Sequence, residues 1–155
     1  MARLARTASV ATLLVAALVL AACGDDNADK NRYIRDLAAA QTTYKANAER
    51  IEAGATQTST PAEDRRTLDR FATAINDTIV ALRRLDVPPE AAAEHRRFVG
   101  VFMTWRDDIE RFVAAIKNPT QAGVARAQRR IAAANLTFNA ALRKAGTDID
   151  AALAS

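Results

Sequence analysis

The sequence predicts an all-α protein, an antiparallel up-and-down four-helix bundle preceded by a signal-peptide helix. Three observations carry this. Apolar residues recur three and four positions apart along four long stretches, which is the period of one helix face. Proline-based start signals and Gly or Pro breaks separate those stretches. Half of the chain is hydrophobic but aromatics are 5 %, so the apolar content is alanine and aliphatic side chains suited to close helix packing. No period-two alternation argues for strands, and no repeat or low-complexity block interrupts the pattern.

Met1 to Arg6 carries two arginines and no acid, and Thr7 to Ala22 is an uncharged run rich in Leu, Val and Ala. These are the charged and apolar regions of a secretory signal. A bilayer-spanning helix needs about 20 apolar residues, and this run is shorter and softened by Ala, Thr and Ser. It ends in Leu20-Ala21-Ala22-Cys23. That tetrapeptide resembles the lipobox of bacterial lipoproteins. The resemblance implies cleavage between Ala22 and Cys23, a diacylglyceryl group on the Cys23 sulfur, and an acylated amine. Residues 1–22 are then the signal peptide, 23–30 a lipidated tether and 31–155 the bundle. The tether is short and acidic from Gly24 to Asp29. With Gly24, and no aspartate, after the cysteine, the sorting pattern of enteric lipoproteins implies the outer membrane in a diderm host. A monoderm host would keep the protein on the outer face of the cell membrane.

The first bundle helix is expected over 31–53, with its stripe on Tyr33, Leu37, Ala40, Tyr44, Ala48 and Ile51. Gly54 stands where a helix often ends in a left-handed residue. Thr60-Pro61-Ala62-Glu63 opens the second helix as a cap, a first-turn proline and a capping-box acid. Its stripe is Leu68, Phe71, Ile75, Ile79, Leu82 and Leu85, and Arg83 and Arg84 suit the negative end of the dipole. Val87-Pro88-Pro89 stops it and starts the third helix. The third stripe runs unbroken through Ala91, His95, Phe98, Phe102, Trp105, Ile109, Phe112 and Ile116. Gly100, off the stripe, suggests a close helix contact. Asn118-Pro119-Thr120-Gln121 opens the fourth helix, with Asn118 as the expected cap. Its stripe holds Val124, Ala127, Ile131, Ala134, Phe138, Ala141, Leu142 and Ala145, with Gly146 expected to end or kink it. Phe71, Phe98, Phe102, Phe112 and Phe138 are all expected in the core. Leu82 to Pro89, followed by His95, resembles segments of helical lipoproteins of high-GC bacteria. That resemblance covers the central hairpin and implies no activity.

Removing residues 1–22 leaves 133, enough for one core. The formal charge is +4, of which Arg3 and Arg6 belong to the signal. The remaining excess is too small to argue for nucleic acid. Cys23 is the single cysteine, so no disulfide supports the fold. Placing each segment at its bundle end puts nine basic and nine acidic residues nearest the tether, which gives no basic membrane-docking face.

Catalytic chemistry finds few candidates. His95 is the single histidine, and its i±3 and i±4 neighbours are Ala91, Ala92, Phe98 and Val99, none a metal ligand. A partly buried structural histidine is the expectation. After the signal, serines occur at 59 and 155, and Ser59 belongs to the end of the bundle opposite His95. A helix of about 26 residues separates them by ~39 Å, so no Ser–His pair forms. Asp107, Asp108 and Glu110 lie off the stripe, and the expected i,i+4 pairs Arg106–Glu110 and Asp107–Arg111 read as a solvated face. Asn76-Asp77-Thr78 and Asn135-Leu136-Thr137 are chance matches to the glycosylation pattern inside helices. There is no phosphate-binding glycine loop. The expectation is therefore a non-catalytic binding or scaffolding module, without metal or cofactor. It is held to membrane lipid through acylated Cys23, and its partner is another envelope component. Tyr33, Tyr44 and Trp105 are the candidate contact residues, because aromatics are favoured at interfaces. They also lie on helical stripes, where core filling is the commoner fate. The competing class is a small-molecule or cofactor-binding bundle, or an enzyme. It needs a buried polar cluster or a deep pocket.

Overall fold

The computed structural model describes residues 26–54, 61–116 and 120–155, a few side chains at helix ends excepted. The expected signal peptide, the lipobox-like tetrapeptide and the expected cap at Thr60 lie outside these. The described chain is four α-helices and no strand: α1 (Asp26–Ala53), α2 (Pro61–Arg83), α3 (Ala92–Ile116) and α4 (Gln121–Leu153), with a 3₁₀ turn at Pro89–Ala91 before α3.

Consecutive helices pack side by side, α1 on α2, α2 on α3 and α3 on α4. Lys30, near the start of α1, donates to the Leu153 carbonyl at the end of α4 at 3.0 Å. The same ammonium lies 3.6 Å from Glu90, just before α3. The start of α1, the start of α3 and the end of α4 therefore share one end, called proximal below. This is the antiparallel bundle the stripes predict.

The stripes also predict most of the interior. Tyr33, Ile75, Leu82, Phe98, Phe102 and Ile149 are at most 1 % exposed and make the best-packed part of the core. Burying each such side chain contributes about 1.5–3 kcal/mol. The core draws on Tyr33 through Leu153, so the described part carries its own core. Burial is weaker toward the distal end. Phe71 and Phe112, expected inside, are half-buried there, as are Leu68 and Ile131. Their stripes point inward as predicted, but the helices do not close over them.

Several local expectations are corrected. The helix α1 starts at Asp26 and not at 31, taking in residues 26–30 of the expected tether. Asp29 pairs with Arg32 at 3.5 Å, and acids in a first turn suit the positive end of the helix dipole. Gly54 is not left-handed, since no described residue has a positive φ; its N–H closes the last turn on the Arg50 carbonyl. The cap of α4 is Thr120, not Asn118. Thr120 is extended at φ −89° and ψ 151°, and its hydroxyl accepts from the Gly123 N–H at 3.1 Å. Gly146 does not end α4, which runs on to Leu153 because Ile149 and Leu153 extend its buried stripe. At Gly100 an added Cβ would meet nothing within 4 Å, so no close helix contact explains that glycine.

Candidate functional site

Three places in the bundle bring chemistry-bearing side chains together. At the proximal end, Tyr33 of α1 and His95 of α3 meet across 62 residues, with the phenol 3.0 Å from Nδ1. The ring's Nε2 lies 3.0 Å from the Leu82 carbonyl, near the end of α2. A carbonyl only accepts, so Nε2 carries the proton and Nδ1 accepts from Tyr33. One neutral imidazole thus ties three helices. Burial lowers the His95 pKa, against an upward pull from the Leu82 carbonyl. Burial also pushes the Tyr33 phenol far above its ordinary range, and the Asp150 carboxylate adds to this. Burial likewise raises Asp150 itself.

At mid-height, the Trp105 indole N–H donates to the Tyr44 hydroxyl at 3.0 Å. Trp105 stacks on Phe138 at 5.2 Å between centroids, and Tyr44 meets Phe102 edge-on at 5.2 Å. These geometries suit the ring quadrupoles. Burial raises the Tyr44 pKa to about 12; the Trp105 hydrogen bond opposes this and Glu52 adds to it.

Tyr33, Tyr44 and Trp105, the candidate contact residues, are therefore interior, at 1 %, 5 % and 8 % exposed. Their polar atoms are spent on His95 and on each other, so they present nothing to a partner. Cys23 and Ala22 lie outside the described residues. Among the described residues no buried side-chain nitrogen or oxygen lacks a hydrogen-bond partner. None of the described His, Cys, Asp and Glu side chains form a group of three or more able to hold a metal ion.

The carboxylates of α3 lie among arginines, with one changed pairing. Arg106 reaches both Asp107 at 2.7 Å and Glu110 at 3.7 Å. Arg111 takes Asp108 at 2.9 Å, one turn back, in place of Asp107. Ser155, the described serine, donates to the Ala152 carbonyl.

The third place is an open cleft of about 410 Å³ between the distal halves of α3 and α4. Phe112, Ala115, Ala127, Ile131 and Ala134 supply its apolar lining; Arg111, Arg126 and Arg130 stand with Asp108 among its polar residues. Sequence reasoning did not find it. The available signal was the charge pattern of α4, which holds Arg126, Arg129 and Arg130 and no acid before Asp148.

No protein-family model, curated protein or solved structure matches this chain.

Proposed function

We propose that the protein is a lipid-anchored, extracytoplasmic binding or scaffolding module of the bacterial cell envelope, and not an enzyme. The observation that carries this is Leu20-Ala21-Ala22-Cys23 after a charged start and a short apolar run. The acyl chains on Cys23 hold the domain at the membrane, on the outer face of the cell membrane or in the outer membrane. None of the described helices is long and apolar enough to cross a bilayer. Support for a non-catalytic role comes from the polar groups. The single histidine is occupied on both ring nitrogens, and the described acids of α3 face arginines. A second reading, a bundle that binds a small molecule, is favoured by the distal cleft.

The test is Cys23→Ser in the native host. The variant should accumulate as uncleaved precursor and take up no labelled palmitate, while the parent protein is labelled and partitions into detergent. Equal labelling of both proteins, or a parent that never partitions with membranes, would refute the anchor.

A further inference from the structure

We propose that the distal cleft between α3 and α4 binds a small anionic amphiphile, with a carboxylate head and an apolar body. The volume, about 410 Å³, falls in the lower part of the ~300–1,000 Å³ range of small-ligand pockets. The floor is apolar because Phe112 and Ile131, on the core stripes of their helices, remain half-buried where the bundle fails to close.

Charge selects the head group. Arg111 already pairs with Asp108. Arg126 and Arg130 are exposed and make no ion pair or hydrogen bond among the described residues. One turn apart on α4, they lie on the same face. No acid on α4 precedes Asp148, so the helix offers them no partner of its own. Arginines also crowd the half of α4 nearest its positive dipole end, an arrangement that an anion relieves. Arginine suits carboxylate because its planar donors engage both oxygens. An apolar body then covers Phe112 and Ile131 while the head meets Arg126 and Arg130. The inference goes beyond the anchored-module reading and does not rest on it, because the cleft is distal and Cys23 is not part of it.

Residues 24–155, which contain the whole described core and lack Cys23, are titrated by calorimetry with three probes. Decanoate carries head and body, decanol the body alone, and inorganic phosphate the charge alone. One equivalent of decanoate should bind saturably, and at least about tenfold more tightly than either other probe. The Arg126→Gln/Arg130→Gln variant should weaken decanoate about tenfold or more with an unchanged melting temperature, since both side chains are exposed. Ala115→Trp, which fills the cleft from an exposed position, should block decanoate as well. No saturable decanoate binding, equal binding of decanol or phosphate, or binding indifferent to both variants would overturn the site. These outcomes leave lipidation of Cys23 untouched, so the two proposals fail separately.

Discussion

Tyr33→Phe isolates one of the side-chain hydrogen bonds that tie α1 to the rest of the bundle. The ring keeps its place in the core and loses one oxygen. Its partner, His95 Nδ1, then has no donor in a residue 6 % exposed. Leaving a buried acceptor unsatisfied costs about 1–3 kcal/mol. Losing a hydroxyl from a satisfied, 1 % exposed position offsets little of that. The expected loss is therefore about 1–3 kcal/mol out of the ~5–15 kcal/mol typical of one domain. Urea unfolding of residues 24–155 measures it as a lower midpoint at constant slope. His95→Gln supplies the second edge of a double-mutant cycle, and the two losses should fall short of additivity by about 0.5 kcal/mol or more. Additive losses, or a Tyr33→Phe variant as stable as the parent, would refute the reasoning. Either result would mean that the phenol and the imidazole do not exchange a hydrogen bond.

Other predictions follow from the same geometry. Phe102→Ala removes a fully buried ring that meets Tyr44, Phe98 and Phe138, and should cost about 3–5 kcal/mol in urea unfolding. Gly146→Ala should stabilise by about 0.5–1 kcal/mol, since the glycine is inside α4, has no positive φ, and leaves open space for a Cβ. Because the folded-state pKa of His95 lies below its ordinary value, the unfolded chain binds more protons as pH falls. Stability should therefore decline as pH is lowered through the ordinary histidine range, and His95→Gln should remove that decline. Asp150 and Glu52, both raised by burial, work in the opposite sense at lower pH, so the comparison is made above the carboxylate range.

The sequence disclosed the helices well because their packing is written in a local period. Spacings of three and four locate Ile75, Phe98, Phe102 and Leu142 on buried faces without reference to any other element. What the period does not report is how closely the helices approach. Phe112 continues the stripe of Trp105 and Ile109, yet it faces a gap and not a partner. The polar pairs were hidden for a related reason. Tyr33–His95 and Tyr44–Trp105 join residues more than 60 positions apart, and their meeting depends on the vertical register of α1 against α3. A stripe assigns a face and leaves that register open. The stripe therefore does not tell Tyr33, Tyr44 and Trp105 as surface contacts from the same residues with their polar atoms satisfied inside. Helix ends were the least legible. At α4 the sequence pattern points to Asn118 as the cap, whereas the hydrogen bond from the Gly123 N–H to the Thr120 hydroxyl makes Thr120 the cap. The cleft is half visible, because the acid-free run of α4 and the apolar Phe112 of α3 show in the sequence while the gap between them does not.

The central claim is that a lipid on Cys23 holds this bundle at a membrane, and the mass of the native protein tests it most directly. The protein purified from its host in detergent should yield a chain that begins at Cys23, heavier than the unmodified sequence by the diacylglyceryl and acyl groups. Its tryptic N-terminal peptide should carry that mass on Cys23. A full-length chain beginning at Met1 with an unmodified Cys23 thiol would contradict the account.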